Sequence, residues 1–416
     1  MDTDLNGLWL QLHRSIHEIP RADWQRLAVT ASPLMQWDWL AALEDSGSVS
    51  AETDWAPRHA AVRDADGVLI AAAPFYRRDK SSAGEFVFDF AWIDAAEQLG
   101  FAYFPKLVGM SPATPIPAFE ILMDTSWCQH HQIASDRLSG HVLQRIREQA
   151  LQEGIASIHL QFVSPSLCAT AAGSGFQEWR HAGFEWHNRG YRDWDHYLEH
   201  LTKDRRRTAR RERRRLREQG VVTEVRQGST IPHSWLSLMY RYYRNTTDQF
   251  GPWAARFLRK DFFLRLHEAA GEHLVFVAAF LTDTNEADQT SVLHDAEPVA
   301  LAMLLSNGSE LMGRYWGCSQ QLPYLHFECC YYTPIEWAIQ HGISRFNPGM
   351  GGEHKIHRGF EGARHFSQHW FADQRMALLF AGNIHQFNDF TQQELAAASQ
   401  LSALYTLRKG DGDGNT

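Results

Sequence analysis

The sequence predicts a mixed α/β (α+β) chain built as two tandem domains, and three observations carry that expectation. Its 416 residues exceed one ordinary core. Short apolar runs alternate with stretches of helical periodicity in both halves, and the second half repeats the first in outline. Hydrophobic residues make up 44% and charged residues 21%, with 15 Trp and 24 Phe, which supplies apolar surface for packed cores and argues against disorder.

Taken in order, a short helical pattern opens the chain, and residues 32–49 read as a helix capped by Ser32, with Pro33 at its first position and Gly47 as its stop. Residues 59–62 and 68–76 read as a hairpin across the turn Asp64, Ala65, Asp66, Gly67. The aromatic-rich residues 85–93 read as a further strand, followed by a Pro- and Tyr-rich loop over 101–117. Helical spacing over 139–153 ends at Gly154, residues 158–163 form a buried strand, and a small-residue helix lies near 169–172. An aromatic stretch, 184–191, closes a first domain of residues 1–191.

From Asp193 a helix is expected to run unbroken to Gln219, because it has an Asp cap, a Gly220 stop and no interior Gly or Pro. At about 1.5 Å per residue it would be roughly 40 Å long. Residues 233–250 and 253–270 are helical patterns, 274–280 a strand, 282–297 an acidic surface loop, and 298–306 with 310–316 a strand pair around Asn307 and Gly308. Residues 325–340 read as a helix that either kinks at Pro334 or begins at Thr333 as a capping box with Glu336. Strands at 343–346 and 365–371 and a helix over 374–407 complete a second domain, 192–408, with a disordered tail expected at 409–416.

Several function classes are disfavoured. No apolar run approaches the roughly 20 residues that span a bilayer, and the N-terminus MDTDLNGLWL lacks a basic start followed by an apolar stretch, so a cytoplasmic protein is expected. The five cysteines, at 128, 168, 318, 329 and 330, contain no CxxC and suggest neither a disulfide framework nor a thiolate zinc site. His354, His357, His365 and His369 crowd together, but the last two lie in a strand pattern, where residues four apart sit about 13 Å from each other. No metal site is expected.

The net charge of −9 is unevenly distributed: residues 203–217 hold ten Lys or Arg and only two acids. Solvated faces normally mix both signs, so a counter-anion is the natural explanation, either nucleic-acid phosphates or an anionic lipid surface. Arg205, Arg206, Arg207, Arg210, Arg211 and Arg214 are the expected phosphate or RNA contacts.

The most informative stretch is 313–360, where glycines, aromatics and ionisable groups follow one another in the order strand, loop, helix, strand, glycine-rich loop. RYWGCS at 314–319 comes close to the R/Q-x-x-G-x-G/A loop by which Gcn5-related acetyltransferases hold the pyrophosphate of coenzyme A. Ser319 at the last small position and the intervening QQLP at 320–323 make it a poor cradle, and an ordinary tight turn is the competing reading. NPGMGGEHK at 347–355 has three glycines, and five of the six residues 353–358 are ionisable. A solvated surface loop would look the same. As a ligand wall, it offers Glu353 or His354 as a base and Lys355 or Arg358 to stabilise an oxyanion or phosphate.

Several segments in order resemble the FemAB-like branch of the Gcn5-related acyltransferase (GNAT) superfamily: NRGY at 188–191, the basic helix 193–219, RYWGC at 314–318, HFECCYY at 326–332, GEHK at 352–355 and RGF at 358–360. In the first half Tyr76, EFVFD at 85–89, Trp92, Asp94, Ala95 and YFPK at 103–106 resemble the same branch. The resemblance covers approximately residues 32–371 and implies two tandem GNAT-like domains, each a mixed, mostly antiparallel sheet flanked by helices. Better-known members transfer an amino acid from aminoacyl-tRNA to the amine of a peptidoglycan precursor. Two departures stand out: IHRGF at 356–360 occupies the place of a Phe-Lys-Lys-Gly-Phe-like segment, and the long helical arm of some relatives is absent.

The resemblance implies an acyltransferase with no tightly bound cofactor, using aminoacyl-tRNA or acyl-coenzyme A as co-substrate. Its partners would be tRNA or another phosphate-rich donor, a small-molecule or peptide amine acceptor, and peripherally an anionic membrane. Lys355 and Arg358 would stabilise charge, and Glu353 or His354 would move the proton. Arg314, Tyr315 and Glu328 would line the donor channel, Trp316 and Tyr331 would also bind substrate, and Asp89, Trp92, Asp94, Tyr103 and Lys106 would shape an acceptor pocket between domains. The alternatives are an acyl-CoA-dependent N-acyltransferase and a non-catalytic RNA- or membrane-docking protein.

Overall fold

The computed structural model describes residues 5–249, 256–282 and 296–404. The chain forms two compact units, Met1–His181 with Arg364–Thr391, and Ala182–Ala363 with Gln392–Thr416. The division thus comes before the expected 191/192, and residues 364–391 belong to the first unit instead of the second. Pairing explains the return: residues 368–371 lie antiparallel to the strand Ser157–Leu160, from Gln368 opposite Leu160 to Phe371 opposite Ser157. The helix that follows sets Phe380 against Trp92 and Trp179. The expected tail at 409–416 lies outside the described residues, as do 283–295 of the expected acidic loop.

The first unit contains β1 (Trp9–His13), β2 (Ala56–Pro57), β3 (His59–Arg63), β4 (Leu69–Ala73), β5 (Phe75–Arg78), β6 (Lys106–Gly109), β7 (Leu122–Met123) and β8 (Ser157–Leu160). Strands β1, β3, β4 and β7 form a four-stranded antiparallel sheet. The β3–β4 hairpin turns where the sequence predicts, with the Asp64 carboxylate accepting from the main-chain N–H of Asp66 and Val68. In the other sheet β2, β5 and β6 run antiparallel, and β6 and β8 parallel.

One expected strand is replaced here. Residues 85–89 are irregular and a helix, Phe90–Leu99, follows. The cause is electrostatic: Lys106, at the start of β6 and fully buried, draws in the carboxylates of Glu85 at 2.9 Å and Asp89 at 2.9 Å. Phe86 between them takes φ +58, a value no strand allows.

The first unit also buries a hydrogen-bonded chain of histidines and serines, whose direction follows from Ser157 when the imidazoles are neutral. The Ser157 hydroxyl donates to Tyr103 O at 2.8 Å, so it accepts from His159 Nε2 at 2.8 Å. His159 Nδ1 then accepts from His369 Nδ1 at 2.6 Å, His369 Nε2 from the Ser367 hydroxyl at 2.7 Å, and Ser367 from His181 Nε2 at 2.7 Å. In this direction neutral imidazoles satisfy every link. Burial pushes His159 and His369 well below the usual histidine range and His181 down to about 3, helped by Lys106 and by neighbouring histidines. Depressed folded-state pKa values mean that, as pH falls below about 6.5, the unfolded chain binds protons the folded chain does not. Stability is therefore expected to fall on acidification by up to about 1.4 kcal/mol per pH unit for each histidine. Urea midpoints measured from pH 7 to 5 check this, and a flat profile would refute it.

The strand β9 (Gln177–His187) begins in the first unit and ends in the second. The second unit then adds β10 (Val221–Gln227), β11 (Leu274–Leu281), β12 (Ala300–Ser306), β13 (Glu310–Cys318) and β14 (Arg345–Asn347), before β15 (Glu361–Phe371) crosses back. From β10 to β13 the sheet is an antiparallel meander; β14 pairs parallel to β13 and antiparallel to the end of β9. The run LVFVAAF in β11 is apolar throughout because both faces are covered. Val275, Val277 and Ala279 enter a core with Ile335, Phe346 and Phe360, while Phe276 and Phe280 meet Trp235 of the helix His233–Asp248.

Strand β13 pairs with β14 only through Glu310, Leu311 and Met312. Residues 313–318 continue along β12, while the pairing of β13 with β14 ends at Asn347, where Pro348 still lies against Gly313. The glycine-rich loop leaves from that point.

Two expected helices are modified. The helix of 193–219 is broken into Trp194–His200 and Lys203–Glu218. Asp193 caps the first piece as predicted, its carboxylate accepting from His196 N. The break has no local signal: Leu201 turns extended and bridges Leu404, and Thr202 N donates to Ala403 O at 2.8 Å. The basic piece is thus about 24 Å long. The helix of 325–340 runs through Pro334 as Leu325–Phe327, a π-turn over Glu328–Tyr332, and Thr333–Gln340. The Thr333 hydroxyl donates to Glu328 instead of capping. Of the expected helix 253–270, the described part is two short helices, Lys260–Leu264 and Leu266–Ala270.

Candidate active site

The loop that leaves β14 is closed on itself by a lysine. Lys355 lies on the 3-10 helix Glu353–Arg358, and its side chain is 2% exposed. Its Nζ donates to Gly349 O at 2.7 Å and to Met350 O at 3.0 Å. Burial pushes the amine down to about 7, although the Cys330 thiol partly opposes this. Gly352 sits at φ +89, and a Cβ there would lie 2.2 Å from the His354 ring. A glycine at 352 therefore lets the imidazole fold back over the loop.

That imidazole meets the π-turn. His354 Nε2 and the Tyr331 hydroxyl are 2.9 Å apart. Around them, the His326 ring lies 5.3 Å from Tyr331, 6.0 Å from His354 and 5.1 Å from Trp316, in the part of β13 beyond its pairing with β14. Burial, with the charges of Lys355 and Arg358, holds both imidazoles below the usual range, His326 at about 4. Burial raises the Tyr331 hydroxyl. At neutral pH the cluster is a neutral imidazole hydrogen-bonded to a neutral phenol, suited to accepting one proton and donating another.

The other expected residues divide. Glu353 is exposed and enters none of these bonds. Arg358 does not fit the expected role of anion stabiliser, because it is buried with its terminal nitrogens on Glu212 at 2.9 Å and His354 O at 2.8 Å. Its guanidinium also lies 3.4 Å from the centre of the Phe327 ring. Glu328 is likewise turned inward, bonded to Arg213 at 2.9 Å and Thr333 at 2.9 Å. Arg314 donates to the Tyr315 hydroxyl at 2.8 Å, and Tyr315 packs between Tyr243 and Phe263, at 5.4 and 5.7 Å.

The coenzyme A-like segment RYWGCS proves to be mostly strand, since β13 extends through Cys318. Its glycine serves packing: a Cβ on Gly317 would stand 2.1 Å from Tyr242 O in the helix His233–Asp248. That helix is fastened to the strand by Thr246 on Trp316 O at 2.9 Å and Asn245 on Cys318 O at 3.1 Å.

The five residues expected to shape an acceptor pocket do not converge on one. Lys106, Asp89 and Tyr103 share a buried network in which Lys106 Nζ donates to Ser82 at 2.7 Å and Tyr103 donates to Asp89 at 2.7 Å. Burial raises the Glu85 carboxyl beyond what Lys106 and Arg78 can offset. At Asp89 burial is outweighed by Lys106, Ser82 and Tyr103, and the carboxyl is lowered. Trp92 is packed among Trp179, Phe380 and Phe387, and Asp94 is exposed.

The basic helix Lys203–Glu218 has two faces. Ala209, Glu212, Arg213 and Leu216 are buried. Lys203, Arg206, Arg207, Arg210, Arg211 and Arg214 line an open groove of about 740 Å³. Arg210 and Arg214 make exposed pairs with Asp195 and Glu218, whereas Lys203, Arg207 and Arg211 have no acidic partner among the described residues. Arg205 lies half-buried outside the groove. Glu212 and Arg213 are functional candidates that the sequence did not single out. A signal existed, because Glu212 is the only acid between 205 and 217.

The comparisons agree with this architecture. The FemAB-like family profile, described as peptidoglycan biosynthesis/recognition, matches residues 15–405. No curated protein matches the chain. Among solved structures, FemX is similar with a TM-score of 0.52 at 12% identity, covering 87% of this chain and 98% of that one. L-PGS from Bacillus licheniformis aligns with a TM-score of 0.47 at 13% identity over 83% of this chain and 95% of that one. A tandem GNAT protein from the clavulanic acid biosynthesis pathway aligns at 0.43 and 10% identity, over 88% and 99%. With its family match spanning nearly the whole sequence, the chain belongs to the FemAB-like family, and it shares the fold of FemX.

Proposed function

We propose that the protein is an acyltransferase that moves an aminoacyl group from aminoacyl-tRNA to an amine acceptor. The observation that carries this reading is the cationic groove on the outer face of the basic helix, an arrangement suited to a phosphate-rich donor. In the reaction the acceptor nitrogen attacks the ester carbonyl, the C–N bond forms, and the C–O bond to the tRNA hydroxyl breaks. The attacking amine gives up a proton, which His354 takes directly or through the Tyr331 hydroxyl, and the leaving ribose oxygen receives one. Lys355 keeps the loop beneath them closed. The acyl-CoA reading has less support, because Gly317 is committed to helix packing. Among the described residues no helix is long and apolar enough to cross a membrane; the availability of charged tRNA makes the cytoplasm the proposed compartment.

The test uses tRNA charged with labelled amino acids and a panel of amine acceptors. Label should reach an acceptor only with protein present and should be lost on ribonuclease treatment; transfer from acetyl-CoA with intact kinetics would refute the donor assignment. Binding of tRNA should weaken steeply with salt. Replacing Arg207 and Arg211 by Gln should reduce the log-log slope by about 0.7 to 0.9 for each phosphate no longer neutralised, and an unchanged slope would remove the groove from the interface.

A further inference from the structure

The inner face of the basic helix presents two consecutive buried residues of opposite charge, Glu212 and Arg213. Glu212 accepts from Arg358 at 2.9 Å and from the Tyr332 hydroxyl at 2.6 Å. Arg358 passes the connection on, donating to His354 O at 2.8 Å. Arg213 pairs with Glu328 at 2.8 Å and Glu336 at 2.7 Å, with its guanidinium 4.7 Å from the Trp194 ring centre.

These contacts fall on the two segments that bring Tyr331 and His354 together. Glu328 opens the π-turn, and Thr333, which donates to it at 2.9 Å, follows the turn's last residue. Arg213 thus fastens the turn at its start. A π-turn holds one residue more than an α-turn, and each residue rotates a helix by about 100°. Relaxation to α geometry would swing Tyr331 away from His354. On the other side Arg358 holds the main chain of His354 itself. Buried ion pairs of this kind add little net stability over apolar packing, yet losing one partner is severely penalised, so their effect is to fix a geometry. With no Gly or Pro between 203 and 218, the helix moves as one body.

We propose that Glu212 and Arg213 are positioning residues, through which a phosphate-rich donor held on the outer face of the basic helix sets the geometry of the Tyr331–His354 pair. This inference rests on the donor reading given above. The outer cations and the inner ion pairs alternate on one short helix, so a shift of the helix on binding is felt by both segments that form the pair.

The test is histidine NMR of the full-length protein labelled at Cε1, with the His354 resonance assigned by its loss in His354→Gln, and bulk tRNA as the probe at low salt. In the unmodified protein tRNA should shift the His354 resonance. Glu212→Gln should bind tRNA with the same Kd while the resonance no longer follows. Arg213→Lys, which keeps the charge but cannot span Glu328 and Glu336 together, gives a second measurement if the first variant does not fold. A merely structural role would lower Tm without uncoupling the resonance from tRNA. Equal binding with an equal shift in all three proteins overturns the coupling and leaves the donor reading standing. Absence of tRNA binding by the unmodified protein overturns both.

Discussion

Lys106→Met is expected to destabilise the first unit by about 3–5 kcal/mol, the typical consequence of leaving a buried charge without its partner. Lys106 is fully buried, and its Nζ contacts both Glu85 and Asp89, themselves buried. Methionine matches the length but removes the cation, leaving two carboxylates with Arg78 at 3.1 Å from Glu85 as the remaining cation in contact, and the neutral donors Gln161 and Tyr103. Glu85 and Asp89 bracket the irregular segment 85–89, where Phe86 sits at φ +58, so this segment should lose its conformation first. Urea unfolding followed by circular dichroism measures the change; a loss under 1 kcal/mol would mean that the network is not what folds this segment.

His354→Gln should lower turnover by roughly 100- to 10,000-fold, the usual contribution of a positioned acid or base. The side chain is half-buried and its removal spares the loop, which Lys355 closes independently, so the folded fraction should stay near that of the unmodified protein. The pH dependence supplies a second signature. Burial and the neighbouring cations lower the pKa of His354, so its neutral, proton-accepting form persists below the usual histidine range. Activity should therefore hold as pH falls through 6.5 and decline only below it, whereas an unperturbed histidine would already be half protonated there. Full turnover in His354→Gln, with unchanged circular dichroism, would eliminate this residue as the base.

What the sequence made legible was local. The Asp64–Gly67 hairpin turn, the Asp193 cap and the Gly154 stop each depend on side chains within a few residues, and each appears where expected. Features set by distant partners were not readable. The break at Leu201 answers to Ala403 and Leu404, and the absent strand at 85–93 answers to Lys106. The site follows the same division. The glycine loop, His354 and Lys355 are visible as a dense run of ionisable residues, and the structure joins them through neighbours. Arg358 resembles its neighbours in sequence but is claimed by Glu212, 146 residues away, so nothing local separates a reactive arginine from an interior one.

The first unit is assembled from both ends of the sequence, with residues 364–391 completing what Met1–His181 begins. During synthesis the strand that must lie beside Ser157–Leu160 does not yet exist when the first 181 residues have emerged. At about 5–20 residues per second, the intervening segment takes roughly 10–40 s to make. Until then His159 lacks His369, and Trp92 lacks Phe380. The second unit waits in turn for Ala403 and Leu404, which meet Thr202 and Leu201, so neither unit can close before the residues beyond 363 have been made.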